Sequence, residues 1–207
     1  MLRPFGRVEE GTFHVSLLIV GLILFIGMHS IRVVGEAPRN LLISRIGEMP
    51  YRASYSLLSL IGLVLIGQGY GEALASHGRL YTPPPVLSLG TLALVPVAFV
   101  LVSAAYLPAS HIKRAARHPM VLGVGLWAAG HLLANGETAN VVLFGAFFVW
   151  AVLDYLSSLR RNAQPVGGKV ASAKMDLLSL VIGLSIAAVF IVWAHEWLFG
   201  VSPLARN

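Results

Sequence analysis

The chain is predicted to be all-α, an integral membrane bundle of six transmembrane helices with both termini on the outer side. Three observations predict this. Of 207 residues, 57% are hydrophobic and only 12% charged, about half the charged share of a soluble domain, so most of the surface faces lipid. Six apolar runs follow one another, and roughly 20 such residues cross the hydrocarbon. The basic residues gather in alternate loops, which marks the cytoplasmic side.

The first run, 12–31, contains no acid, Lys or Arg. No small-x-small cleavage pattern follows it, so it reads as a retained helix. The second, 53–71, is bracketed by Arg52 and Glu72. Tyr81-Thr-Pro-Pro-Pro85 is stiff and cannot be helical, and it leads into the third run, 86–107. Pro119 suits a first helical position and opens the fourth, 119–135. After a short turn the fifth, 138–159, is interrupted only by Asp154. A polar Gly/Pro-containing loop separates it from the sixth, 177–195. One membrane domain, 1–207, accounts for everything, and Gly123, Gly125 and Gly130 are small enough to let helices approach closely.

Orientation follows from the loops. Those after runs one, three and five hold Arg32, Arg39, Arg45, Arg52, Lys113, Arg114, Arg117, Arg160, Arg161, Lys169 and Lys174. The other side holds Arg3, Arg7, Arg79 and Arg206. A net charge of +6 therefore reports topology and calls for no nucleic-acid partner. There are no cysteines, which excludes disulfides, thiolate metal sites and a cysteine nucleophile.

Histidines carry the chemistry. A histidine inside an apolar membrane helix is costly without a partner and is a functional candidate by default. His29 shares a helical face with Leu22, Phe25 and Arg32. An imidazole with a guanidinium beside it suits a haem iron and a propionate, whereas the plainer reading is a bond to a neighbouring helix. His131 lies on a stripe with Met120, Trp127 and Asn135, a polar and aromatic face; its plainer reading is an interhelical hydrogen bond. Two inward histidines on different helices are the minimum for bis-imidazole haem.

His118, in Arg117-His-Pro119, sits at the membrane surface and suits either an anionic group or a helix anchor. His111 reads as a topology signal. His14 and the pair His195-Glu196 are expected at the outer interface, bonded to water, and nothing attaches to His77. Asp154 is expected to pair with Arg160, Arg161 or a neighbouring helix.

Met28-His-Ser-Ile-Arg32, Gly47-Glu-Met-Pro-Tyr-Arg52, Arg117-His-Pro-Met120, Trp127, His131 and the closing Ala194-His195 together resemble the NnrU family, which includes the 15-cis-zeta-carotene isomerases. The resemblance covers nearly the whole chain. It implies a multi-pass membrane protein of the bacterial inner membrane. For the isomerase branch it implies b-type haem with axial ligands at His29 and His131 and isomerisation of a polyene such as zeta-carotene. For the bacterial branch it implies a role in denitrification and nitric-oxide metabolism. The isomerases carry a cysteine where this chain has Ala128, so thiolate ligation is absent. Arg32, His118, Trp127 and Asn135 complete the expected cofactor-binding set.

Straight helices put His29 closer in depth to His118 than to His131, since His131 lies ~20 Å along its helix from His118. His118 is therefore the substitute ligand. Two other functions compete. One is a non-catalytic component that supports a respiratory complex. The other is a membrane methyltransferase using S-adenosylmethionine, because Arg117-His-Pro-Met-Val-Leu-Gly123 resembles the isoprenylcysteine-type motif. Membrane lipid is the expected surroundings, with a lipophilic substrate, a protein partner or a second copy as further expected partners.

Overall fold

The structure is a computed structural model that describes residues 6–76, 78–161 and 170–204, with no side-chain description for 6–14 and 76. Arg3, His77, Lys169 and Arg206, and the side chains of Arg7 and His14, lie outside the described residues.

Among the described residues the chain forms α-helices and no strand. They are α1 (Gly6–Val34), α2 (Glu36–Ile46), α3 (Glu48–Ser76), α4 (Leu87–Tyr106), α5 (His111–Ala116), α6 (Pro119–Ala134), α7 (Thr138–Arg160), α8 (Ala173–Val189) and α9 (His195–Phe199), with a π-helical turn over Phe190–Ala194 joining the last two. Among the described residues five segments are long and apolar enough to cross a membrane: Val15–Val34, Glu48–Ala75, Leu87–Tyr106, Thr138–Arg160 and Ala173–Phe199. This is a membrane helical bundle whose apolar flanks contact lipid.

Three expectations change in detail. The fourth run forms only the 16 residues of α6, ~24 Å at the helical rise against a hydrocarbon core of ~30 Å. The basic stretch after α1 is itself a helix, α2, with no buried residue; a short polar helix without an apolar stripe leaves no periodic signal. The sixth run starts earlier than 177 and passes through the π-turn. Pro119 does occupy the first turn of α6, and 81–84 is non-helical.

The chain divides into two units, Met1–Thr82 with Gly136–Ala146, and Pro83–Asn135 with Phe147–Asn207. In the first, α1 packs along α3. The contact is backbone against backbone, because a methyl group at Gly69 would fall onto the main chain of Leu18. Lipid tails are as apolar as leucine, so such close van der Waals approach is what holds membrane helices together. In the second unit α4 packs against α6 and α8. Gly123 serves here as expected, facing the Ala98 carbonyl at 2.9 Å from where a Cβ would stand, and Thr91 donates to the Gly130 carbonyl at 2.6 Å.

Much of the basic segment is architectural. Lys113 Nζ donates to the carbonyls of Ala105 and Leu107, 2.8 Å each, satisfying the open end of α4 with a cation where the helix dipole favours one. Ser110 caps α5 by accepting from Lys113 N at 3.0 Å. His111 Nδ1 meets Asp176 Oδ2 at 2.6 Å, and Asp176 Oδ1 accepts from Ile112 N at 2.8 Å, which ties α5 to α8.

The first unit is closed by a polar chain at the loops before α4 and α7. Tyr70 donates to Asn140 Oδ1 at 2.6 Å, Asn140 Nδ2 donates to Glu137 Oε2 at 2.7 Å, and Arg79 Nη2 donates to Glu137 Oε1 at 2.6 Å. Partial burial opposes the charge on Glu137, but bonds from its own backbone amide, Asn140 and Arg79 outweigh that and hold the carboxyl below its ordinary value. A depressed carboxylate contributes stability that is complete above the unfolded value near ~4.3 and is lost as pH falls through the folded one. Detergent-solubilised wild type is accordingly expected to melt above Glu137→Gln at pH 6, and the two to converge as the medium is acidified below about pH 4. A gap that stays constant with pH rejects this tie.

Candidate functional site

In the first unit, α1 and α3 hold His29 at the wall of a cavity of about 350 Å³ lined by Met28, Arg32, Arg39, Tyr51, Arg52 and Tyr55, among others. Helical spacing explains the placement, since Leu22 is buried in the α1–α3 contact and His29 lies two turns further along that face. The ring stacks on Phe25 at 4.3 Å and meets Tyr55 at 5.2 Å. Its Nδ1–H donates to the Phe25 carbonyl at 2.6 Å, which fixes the orientation of the ring. Metal-ligating histidines are oriented by such a bond from the other ring nitrogen.

The cavity is basic at its rim. Arg32 pairs with Glu36 at 2.9 Å and Arg52 with Glu48 at 2.6 Å, all exposed. Arg39 lies over the Tyr51 ring at 5.8 Å. Exposed pairs of this kind contribute little to stability, so both guanidiniums can turn to an incoming anion at small cost. Arg32 was legible from the sequence; Arg39, Tyr51, Arg52 and Tyr55 were missed, because only the return of α3 along α1 brings them to His29.

In the second unit, Trp127, His131 and Asn135 run along α6 as expected. The His131 Nδ1–H donates to the Trp127 carbonyl at 2.8 Å, and Asn135 Nδ2 donates to the His131 carbonyl at 2.9 Å. Trp127 lies 5.3 Å from the His131 ring and edge-on to Phe147 at 5.7 Å. The imidazole is half-buried, and Ala128 beneath it is fully buried, which leaves no thiol there.

His195 is placed differently from expectation. Its ring lies 6.5 Å from that of His131, at 21° between planes, so it faces a histidine rather than only water. The signal that could have found it is the closing Ala194-His195, which enters the family resemblance, whereas the pair His195-Glu196 is expected only at the outer interface.

His118 occupies the opposite end of α6. Arg117, with φ 56 and ψ −55, and the bond from His118 N to the Ala116 carbonyl at 2.5 Å form a positive-φ γ-turn, a rare and strained shape. The His118 ring is edge-on to Tyr155 at 6.2 Å, and the Tyr155 hydroxyl donates to the Ala116 carbonyl at 3.2 Å. Burial, helped by Arg161 and Arg117 and opposed by Asp154, pushes this imidazole below its ordinary value. Asp154 pairs with Arg161 at 3.7 Å, one of its expected partners. These contacts give the Arg-His-Pro segment an anchoring role.

No group of three or more His, Asp or Glu side chains is arranged to hold a metal ion among the described residues. The donors the two units present are the imidazoles of His29 and His131, each oriented through Nδ1, and the guanidiniums at the rim of the His29 cavity; with no cysteine in the chain, thiolate chemistry is left out.

A family model described as NnrU protein matches residues 17–203. No curated protein and no solved structure matches the chain.

Proposed function

The chain belongs to the NnrU family, and from that premise we propose that it is a membrane haem protein of the bacterial inner membrane. Its helices cross the bilayer six times with both termini outside. In this reading the short α6 crosses with the help of its flanking residues, and the basic loops face the cytoplasm.

The single observation that carries the reading is the His29 cavity. It offers one imidazole oriented through Nδ1, aromatic walls, and three arginines at the rim, which is what a flat amphiphile with acidic edges needs. His29 and His131 are each proposed as haem-binding residues, Arg32 as a propionate partner, and Trp127 and Asn135 as supports of His131. Bound haem supplies a redox-active iron and a Lewis acid. The residues orient the imidazoles, exclude water with Phe25, Tyr55 and Trp127, and neutralise carboxylates at the rim.

The reaction proposed is haem-dependent, either redox chemistry linked to nitric-oxide metabolism or isomerisation of a lipophilic polyene. A support role without catalysis predicts protein that is colourless after haem-replete expression. The test is the absorption spectrum of the purified chain, oxidised and reduced, with a Soret band expected and its absence overturning the proposal.

A further inference from the structure

Among the described residues, Arg39 has no carboxylate partner, whereas its two neighbours at the same cavity, Arg32 and Arg52, are held by Glu36 and Glu48. Arg39 is half-buried on α2 and rests over the Tyr51 ring at 5.8 Å. Taking a guanidinium partly out of water without a paired charge is costly, and an aromatic face offsets only part of that cost. Three guanidiniums line the cavity and no carboxylate does, so the local field favours an anion.

Position says what kind of anion. α2 connects two segments long and apolar enough to cross a membrane, Val15–Val34 and Glu48–Ala75, so it lies at a membrane surface. Gly35 at φ 150 and Gly47 at φ 87 turn the chain into and out of it, conformations open to glycine. α2 buries none of its residues, and it exposes Leu41, Leu42 and Ile46 beside Arg39 and Arg45. That mixture suits the boundary between headgroups and acyl chains, where basic side chains are drawn to anionic lipid. The cavity itself joins apolar flanks, Met28 and Ile31, to its cationic mouth. At about 350 Å³ it is at the small end of ligand sites, the size of a headgroup's share of a lipid.

We propose that the mouth of this cavity binds the phosphate of an anionic phospholipid between Arg39 and Arg52. A planar guanidinium donates two parallel N–H bonds to phosphate oxygens, and Arg52 gives up only an exposed pair with Glu48, worth little in water. The site goes beyond the haem reading, which gives roles to His29 and Arg32, and does not rest on it.

The test uses the full chain in detergent with equal amounts of phosphatidylglycerol and phosphatidylcholine, and native mass spectrometry to count retained lipid. Wild type is expected to retain phosphatidylglycerol in preference, a comparison that needs no variant to fold. Arg39→Gln and Arg52→Gln are each expected to weaken retention about fivefold, and the double variant ~25-fold, the effect of losing one or two basic groups at an anionic surface. Arg45→Gln, on the same helix but outside the cavity, is expected to change nothing. Equal retention of the two lipids by wild type, or an equal loss in Arg45→Gln, overturns the site. Displacement of the lipid by millimolar inorganic phosphate assigns the mouth to a free anion and overturns the lipid. An absorption spectrum of the same wild-type sample keeps the two readings apart. Phosphatidylglycerol retained without a Soret band sinks the haem reading alone, and a Soret band without retained lipid sinks this proposal alone.

Discussion

Replacing His131 with alanine is expected to lower the Soret absorbance per protein by at least about tenfold, because even partners of a ligand cost 10- to 100-fold in affinity when removed. The imidazole is half-buried on α6, tied through Nδ1 to the Trp127 carbonyl and flanked by Trp127. His118→Ala removes an imidazole at the far end of the same helix, one that packs on Tyr155, and is expected to leave the band intact. The reverse pattern, band lost in His118→Ala and kept in His131→Ala, moves the ligand to the membrane surface.

The second large effect concerns packing. Gly69→Ala is expected to destabilise the protein by about 3 kcal/mol, the upper end of the usual range for overpacking, because the added methyl falls on the Leu18 backbone. Gly67→Ala, two residues earlier in α3, meets nothing within 4 Å. It is expected to be neutral or stabilising by up to about 1 kcal/mol, since alanine is the better helix former. Thermal unfolding in detergent, followed by size exclusion, separates the two. Equal effects at both positions refute a glycine-mediated contact between α1 and α3. His29 reports the same contact, because its cavity is built from both helices.

Helix type and rough placement were legible because they depend on one variable, the run of apolar residues. Runs 12–31, 53–71, 86–107 and 138–159 each overlap almost completely with a helix long enough to span. The same variable misjudged α6, whose apolar run stops at Asn135 after only 16 helical residues, and was silent on α2, whose polar sequence has no periodic face. His29, Arg32, Trp127, His131 and Asn135 could be named in advance, since i, i+3 and i+4 spacing alone decides which residues share a helical face. Arg39, Tyr51, Arg52 and Tyr55 could not, because they reach the cavity from another part of the chain.

The amino-acid order by itself determined that this is a membrane helical bundle without thiol chemistry, and which imidazoles lie on polar stripes; composition and short-range periodicity are local properties. Only the tertiary structure decided that α3 returns against α1 to close an arginine-rimmed cavity on His29, and that His195 turns to face His131. Both depend on long-range approach. One needs a glycine where two backbones touch, and the other a π-turn that re-aims a side chain, and neither alters the hydropathy pattern from which helices are read.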